Sequence, residues 1–185
     1  MLKLASLRAL IEQCVPELAR DPERLKIVGE DGHIVATGTG SLSFEYRYTA
    51  FVAILDYAGH TDAIFVPLLA WMQVNQPEQL DHEAARERAI EFDLHHLNET
   101  AADIGIWLQL TERAIVRPDP RPDAPGRVTV THPDEPRSMG EQALPAGLTA
   151  AAVPERWELW LKDEKLAAWE QLPPAARELF RPALS

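Results

Sequence analysis

The residue types that could carry out catalysis come closest together at His60, Asp62 and Asp56, between two apolar segments. A histidine beside two carboxylates could serve as the general base of a small hydrolase. The chain contains neither a G-x-S-x-G turn nor a comparable elbow for a serine or cysteine nucleophile. Because Thr61 and Asp62 are residue types that commonly cap helices, we interpret this group as a polar turn before a helix.

The other reactive side chains do not form a recognised metal or phosphate site. His95 and His96 are adjacent, and adjacent side chains of a strand point to opposite faces, so this pair is poorly suited to chelate one ion. The glycine-rich TGTG at 37–40 lacks the lysine of a phosphate-binding loop, and we interpret it as a flexible hinge or a ring-lining loop. Cys14, the single cysteine, lies in an apolar helical pattern typical of a buried thiol. The sequence predicts no catalytic residue, no metal site and no cofactor.

The charge composition limits the classes of partner. The 185 residues include 29 acidic and 18 basic side chains, which gives a formal net charge of −11. Such a chain is not expected to bind nucleic acid in a sequence-specific manner or to adhere to anionic membranes. The N-terminal MLKLASLRAL lacks the apolar core of a secretory signal, and no segment approaches the roughly 20 apolar residues of a spanning helix. We expect a protein that is cytoplasmic when it is made.

The first elements are an amphipathic helix and a pair of short strands. Apolar residues recur at helical period from Leu4 to Leu18. Pro16 should end this helix or open a second short turn, because proline cannot donate the hydrogen bond of an interior position. Asp31-Gly32 then separates two strand-like runs, and this pair readily adopts the positive φ angles of a two-residue turn. The pattern predicts a hairpin at 25–37.

The longest alternating segment is SLSFEYRYTAFVAILDY at 41–57. One face carries Phe44, Tyr46, Tyr48, Ala50, Val52 and Ile54, and the other begins with Glu45, Arg47 and Thr49. From Phe51 onward both faces are apolar. We therefore expect a strand that begins at a solvent-facing or partner-facing end and finishes deep in the core, where Phe51–Leu55 hold the domain together.

A second core helix and two more strands complete the expected fold. Thr61 and Asp62 should start the helix, and Pro67 should kink it or delay its start to about Val66. A polar connector, DHEAARER, follows. AIEFDLHHL and ADIGIWLQLTERAIV alternate, and we expect them to pair as an antiparallel hairpin joined at Asn98-Glu99-Thr100. The order α-β-β-β-α-β-β predicts an α+β fold, a mostly antiparallel sheet with helices packed on one face.

Proline content indicates a change of organisation at about residue 117, since four prolines precede this point and 11 follow it. We expect an α+β domain at 1–116, a Pro-rich linker with a short strand at 117–150, and a small appendage at 151–185. The appendage carries three of the five tryptophans. Its ERWELWLKDEKLAAWE fits a hairpin that turns at Lys162–Lys165 somewhat better than a helix, which stays the alternative. A short helix is expected around AARELF.

Five motifs, in order, resemble one known family. LRALIEQCVPEL, EDGHIVATG, SLSFEYRYT, PLLAWMQVNQPEQL and IWLQLTERAIV together resemble the tail completion protein R (GpR) family of contractile-tailed temperate phages of the peduovirus type. The resemblance spans about residues 3–136. It implies a non-enzymatic structural protein of the virion tail, assembled in the host cytoplasm, that finishes the head-proximal end of the tail so that a filled head can join. The element order is also similar to that of tail terminator proteins, which form hexameric rings.

The resemblance further implies particular partners. These are other copies of the chain in a hexameric ring, the tail tube and sheath proteins, and the neck or head completion proteins. We expect the oligomer or tube contacts at the alternating end of the long strand, at Glu45, Tyr46, Arg47 and Tyr48. Partner binding by the C-terminal segment is expected at Trp157, Trp160 and Trp169. Two alternatives from other classes stay open, a small hydrolase that uses His60 and Asp62, and an immunity or regulatory interaction module.

Overall fold

An antiparallel sheet forms the centre of the protein. The computed structural model describes residues 1–38, 40–96, 101–119, 126–133 and 155–171. The sheet has the order β1-β2-β4-β3, with Leu25–Ala36 as β1, Phe44–Tyr57 as β2, Ile90–His96 as β3 and Ala102–Pro118 as β4. Val128–Thr131 (β5) pairs with the outer end of β4, while Glu155–Leu161 (β6) and Glu164–Gln171 (β7) form a separate hairpin. The predicted α+β class with a mostly antiparallel sheet is confirmed.

Five α-helices lie among the described residues. They are Leu2–Cys14 (α1), Pro16–Arg20 (α2), Asp62–Asn75 (α3), Pro77–Asp81 (α4) and Glu83–Arg86 (α5), with a 3₁₀ turn at Pro22–Arg24. Pro16 opens α2, as predicted, because the first residue of a helix needs no backbone N–H. The expected polar connector DHEAARER contains α5, and α4 ends at its first residue, Asp81. None of the helices in this part of the chain is long and apolar enough to cross a membrane.

The core lies between one face of the sheet and the two long helices. It contains Ala50, Val52 and Ile54 of β2, Ile104, Ile106 and Leu108 of β4, Leu7 and Ile11 of α1, and Leu68 and Met72 of α3. The indole N–H of Trp71 in α3 donates a hydrogen bond to the Ser6 hydroxyl of α1 at 3.0 Å. The even-numbered residues of both long strands therefore face the helices, which is the face that the alternation of β2 predicts.

The predicted hairpin at 25–37 is wrong, because these residues form the single strand β1. β1 pairs with β2 on both sides of a bulge, so that Asp31 and Gly32 lie opposite the single residue Tyr48. Asp31 does adopt the positive φ that the sequence predicts, at 51°. Gly32 does not adopt a positive φ, so the pair does not have the conformation of the predicted turn. Long-range pairing with β2 satisfies more backbone groups than a short local hairpin would. The fold therefore has one strand where two were expected.

Helix α3 starts at Asp62 and continues through Pro67, so the expected delay of its start to about Val66 is wrong. Proline inside a helix costs about 3 kcal/mol. Burial of Ile64, Leu68 and Met72 offsets this cost, since each large apolar side chain contributes about 1.5–3 kcal/mol.

The apolar end of β2 is only half buried on its second face. Phe51 and Trp107 stack there with ring centroids 5.0 Å apart, on the side of the sheet away from the helices, and Leu55 is exposed. Gly105 makes room for the stack, because a Cβ atom at Gly105 would lie 3.0 Å from Cη2 of Trp107. The expectation that the whole segment Phe51–Leu55 lies deep in the core is therefore wrong. Successive residues of a strand point to opposite faces, so they cannot all reach the same core.

The remaining strand predictions are confirmed where the structure describes them. β3 pairs with β4 in the predicted antiparallel orientation, and RVTVTH supplies the short strand β5. The C-terminal hairpin is formed by β6 and β7, with Lys162 at a φ of 53° in the turn, and not by the alternative helix. The joint at Asn98-Glu99-Thr100 and the expected helix around AARELF lie outside the described residues.

Candidate interaction surfaces

One end of the sheet extends beyond the helices. We call this end the arm, and it consists of residues 30–36 of β1, 44–47 of β2, 113–118 of β4 and 128–131 of β5. The residues of β1 in the arm and all four residues of β5 are exposed. β1 pairs only with β2, so its outer edge is open among the described residues. Exposed strand edges offer unpaired backbone groups to another chain, which makes the arm a candidate interaction surface.

A buried carboxylate fixes the base of the arm. Glu112 of β4 is 4% exposed and accepts hydrogen bonds from the backbone N–H groups of Leu2 at 2.9 Å and Lys3 at 3.3 Å. The hydroxyl of Tyr48 donates to the same carboxylate. The first amides of a helix have no hydrogen-bond acceptor within the helix, and the positive end of the helix dipole favours a nearby negative charge. Glu112 supplies α1 with both the acceptor and the negative charge. It thereby joins the start of α1 to the two central strands.

A second buried side chain, Gln76, extends this polar network to α3 and α4. Its Oε1 atom accepts from Lys3 Nζ at 2.8 Å and from the backbone N–H of Thr111 at 3.0 Å, while its Nε2 atom donates to the hydroxyl of Thr111 at 2.7 Å. The Thr111 hydroxyl donates in turn to Glu78 at 2.7 Å. These bonds fill the gap along β4 between the residue opposite the start of β3 and the residue opposite the end of β5. The arm is thus attached to a rigid base.

The four residues expected at the oligomer or tube contact lie on two different faces of the sheet. Glu45 and Arg47 lie on the face away from the helices, where Arg47 Nε and Glu45 Oε1 are 2.6 Å apart. Tyr46 lies on the opposite face against Phe44, with ring centroids 4.8 Å apart. Tyr48 is 3% exposed and faces the core. The structure therefore brings Glu45 and Arg47 together and places Tyr48 in the base of the arm.

The C-terminal tryptophans also divide into buried and exposed side chains. Trp169 of β7 is buried in the core beside α1 and stacks on Trp157 at a centroid distance of 6.1 Å. Trp157 is 47% exposed, and Trp160 is 53% exposed. The backbone N–H of Glu170 donates to the Gln13 side chain of α1 at 3.4 Å. Trp169 thus anchors the hairpin, while Trp157 and Trp160 remain available to a partner.

Sequence reasoning missed Glu112, Lys3 and Gln76. The only sequence signal is a charged residue at an even position of β4, among residues that otherwise face the core. The partners of this residue, Glu112, come from α1 and β2, and these become neighbours only through the tertiary fold. The network could not be found without the register of β2 against β4.

Comparison with known proteins identifies the family. The sequence model of the P2 phage tail completion protein R (GpR) family matches residues 1–136. Tail completion protein R of Escherichia phage P2 is 32% identical over 171 residues, which is 92% of this chain and the whole of that protein. This chain belongs to the GpR family. It is therefore a structural protein of phage tail completion and not an enzyme. No solved structure matches it.

The enzyme-like group of this GpR family member is a structural turn. Asp62 N donates to His60 Nδ1 at 3.2 Å, and the His60 carbonyl accepts from Ala63 N and from the hydroxyl of Tyr57. These bonds hold the loop that precedes α3. Burial raises the pKa of the Cys14 thiol to about 12, so this side chain is not a nucleophile at neutral pH. Neither site supports the hydrolase alternative.

Proposed function

We propose that this chain caps the head-proximal end of the phage tail as a homo-oligomeric ring. In this position it ends the tail tube and sheath and offers a docking face to the neck or head completion proteins. The observation that carries the proposal is the similarity to tail completion protein R of Escherichia phage P2, which extends over the whole of that protein. We expect the ring to be hexameric, by analogy of position on the tail with tail terminator proteins.

The contacts of the ring are proposed at the arm. An edge strand and the exposed pair Glu45 and Arg47 are available there without any change in the core. A standard protein interface buries about 1,600 Å² in total, and the arm, which extends beyond the helices, can contribute to such an area. We propose that residues 1–116 form the domain that enters the ring and that residues 151–185, with Trp157 and Trp160, add a surface for a partner.

We also propose that the ring presents an acidic wall to the DNA path. Residues 1–116 carry 18 acidic and nine basic side chains, a net charge of −9. Like charges repel DNA, so an acidic lumen would let it pass without adhering. A ring whose lumen is basic would contradict this part of the proposal.

Electron microscopy of lysates from a phage that lacks this gene tests the proposed function. We expect unattached heads and tails, with tails of irregular length, because the tail end is neither finished nor competent for joining. Supply of the intact gene in trans should restore complete virions. Normal virions in the absence of the gene would contradict the proposal.

A further inference from the structure

The face of the sheet away from the helices, which we call the open face, has an apolar centre. Its half-buried or exposed apolar side chains are Val28, Phe51, Ala53, Leu55 and Trp107. A Cβ atom at Gly105 would lie 3.0 Å from Cη2 of Trp107 and 3.4 Å from Cε2 of Phe51, so both rings lie over the glycine. In the part of the chain that the structure describes, no helix covers the two rings. An apolar surface of this kind is typical of a protein interface.

The charged side chains of the open face divide by sign along the strands. The register aligns residues in rows across the sheet; the rows from Arg47 outward are the outer half, and those from Thr49 inward are the inner half. Four positive and two negative side chains give the outer half a net charge of +2: Arg47, Arg113, Arg117, Arg127, Glu45 and Asp119. One positive and four negative side chains give the inner half a net charge of −3: Lys26, Glu30, Glu91, Asp93 and Asp103. Asp31 is not counted, because it lies opposite Tyr48, whose side chain is on the other face.

A face divided in this way is complementary to a second copy of itself. If a two-fold axis runs across the strands, the outer half of each copy lies over the inner half of the other copy. Opposite charges then meet on both sides of the apolar centre. An axis along the strands would instead place each half on its own copy and bring like charges together. The charges thus favour one arrangement of two copies over the other.

The open face is also large enough for a stable pair of copies. β2 has 14 residues and is about 48 Å long, and the three strands β1, β2 and β4 together are about 14 Å wide. This footprint of roughly 700 Å² is comparable with the roughly 800 Å² that each partner buries in a standard interface. Two sheets pack face to face when their strands run within about 30° of a common direction, and the axis across the strands allows this alignment.

We propose that two copies of this chain pack open face against open face as a two-fold dimer. The apolar centre with Phe51 and Trp107 supplies the binding energy, and the charges of the two halves fix the orientation. This inference goes beyond the proposed function and does not depend on it. The dimer covers Glu45 and Arg47, which the ring is proposed to use. It is therefore the form of the chain in solution, and it separates when the chain joins a tail.

Charge reversal in both halves tests the orientation, because the two changes should cancel. Arg113→Glu with Arg117→Glu changes the outer half from +2 to −2, and Glu91→Arg with Asp93→Arg changes the inner half from −3 to +1. Either pair of substitutions should weaken the dimer at least about tenfold at low salt. All four substitutions in one chain should restore the dimer, since opposite charges face each other again. The four positions are exposed, so melting temperatures should stay close to that of the wild-type chain.

A matched pair of leucine variants tests the apolar centre. Leu55 and Leu69 are both 44% exposed, but Leu55 lies on the open face and Leu69 lies on α3, on the other side of the sheet. Leu55→Arg removes an apolar contact and adds a positive charge to the inner half, so it should weaken the dimer at least about tenfold. Leu69→Arg should dimerise as the wild-type chain does.

Sedimentation equilibrium of the full chain measures these dissociation constants. We expect a wild-type dimer that weakens as salt is added, and a smaller difference between the wild-type chain and the charge variants at 1 M salt, because salt screens exposed charges. The proposal is overturned by a wild-type chain that is monomeric at its highest soluble concentration or forms an oligomer larger than a dimer. It is equally overturned if the four-site variant stays monomeric, or if the two leucine variants behave alike. A monomeric wild-type chain would leave the open face to another segment of the chain or to another tail protein.

Discussion

The hydroxyl of Tyr48 on β2 donates a hydrogen bond to the carboxylate of Glu112 on β4, and the same carboxylate receives the first backbone amides of α1. This relationship connects the expected contact strand with the N-terminus of the chain. Removal of any one partner leaves buried polar groups without a bond. The base of the arm, rather than its tip, is therefore expected to be the most sensitive part of the protein to substitution.

Replacement of Glu112 by alanine should lower the free energy of unfolding by about 3 kcal/mol, because three buried or partly buried donors lose a charged acceptor. Urea denaturation measures the loss. Glu12→Ala is the matched control, since Glu12 makes only a partly exposed pair with Arg8 and should cost about 0.5 kcal/mol at most. Equal effects of the two substitutions would contradict the role of Glu112.

Asp31 supports a second stability prediction, at the bulge of β1. Its φ of 51° lies in the left-handed region, where β-branched residues are strained. Asp31→Val should therefore lower the free energy of unfolding by about 1–2 kcal/mol, whereas Asp31→Gly should be neutral or slightly stabilising. Thermal melts of the two variants provide the comparison. A valine variant as stable as the glycine variant would show that the bulge is not formed as described.

The same residues show how far the sequence predicts the fold. The pair Asp31-Gly32 predicts positive φ at both residues, and the structure has it at Asp31 alone. Whether these residues form a turn or a bulge depends on their pairing with β2. The residues of β2 are too distant in sequence to be included in a prediction from local residues. Likewise, the alternation of Phe44 to Ile54 correctly predicts which side chains face the core. It does not predict that Phe51 and Trp107 stay on an uncovered face, because the strand pattern does not show which side of the sheet the helices cover.

The candidate site could be predicted less completely than the fold. Glu45 and Arg47 are neighbours on one face of one strand, so their proximity follows from the period of two. Tyr48 also belongs to that strand, but its burial depends on Glu112, more than 60 residues away in sequence. The Trp157 and Trp169 stack depends on hairpin register, which is set by nonlocal packing on α1.

The stack of Phe51 on Trp107 should respond to substitution of the glycine beneath it. A side chain at Gly105 would lie 3.0 Å from Trp107, so Gly105→Val should displace the indole and cost about 1–3 kcal/mol by overpacking. Near-ultraviolet circular dichroism should lose intensity, since two coupled rings become separated. Gly32→Val, where an added Cβ atom would have its nearest neighbour at an ordinary contact distance of 3.6 Å, controls for added volume and should leave the aromatic signal unchanged. Unchanged dichroism in the Gly105 variant would contradict the stack.

Alkaline conditions should destabilise the protein through Cys14. Burial raises the pKa of this thiol from 9.0 to about 12 in the folded chain. The folded state therefore keeps its proton after the unfolded state has lost it, and stability is full below pH 9 and declines from there to about pH 12. Tyr57, whose pKa burial also raises to about 12, adds to the decline. In Cys14→Ala the pH dependence should be shallower by about 1.4 kcal/mol per pH unit in this window. If the free energy of unfolding, measured by denaturation at several pH values, depends on pH equally in the variant and the wild type, the raised pKa of Cys14 is contradicted.

Charge reversal at Arg47 should impair tail completion without unfolding the protein. Arg47 pairs with Glu45 on an exposed face, so Arg47→Glu should change the free energy of unfolding by about 0.5 kcal/mol or less. Plating efficiency in complementation of a gene deletion should fall, because loss of a contact worth about 1.4 kcal/mol weakens subunit association about tenfold. Arg20→Glu, at the exposed end of α2, is the matched control and should plate normally. Normal plating of the Arg47 variant would remove Arg47 from the proposed contact.

The position of the protein on the tail tests the central claim most directly. A phage that carries a C-terminally tagged chain, and that plates normally, can be labelled with gold-conjugated antibody and viewed by electron microscopy. Tails from a mutant without heads should carry label at the end opposite the baseplate, on every tail and at no other place. Label along the sheath, at the baseplate, or absent from purified tails would contradict a protein that caps the head-proximal end.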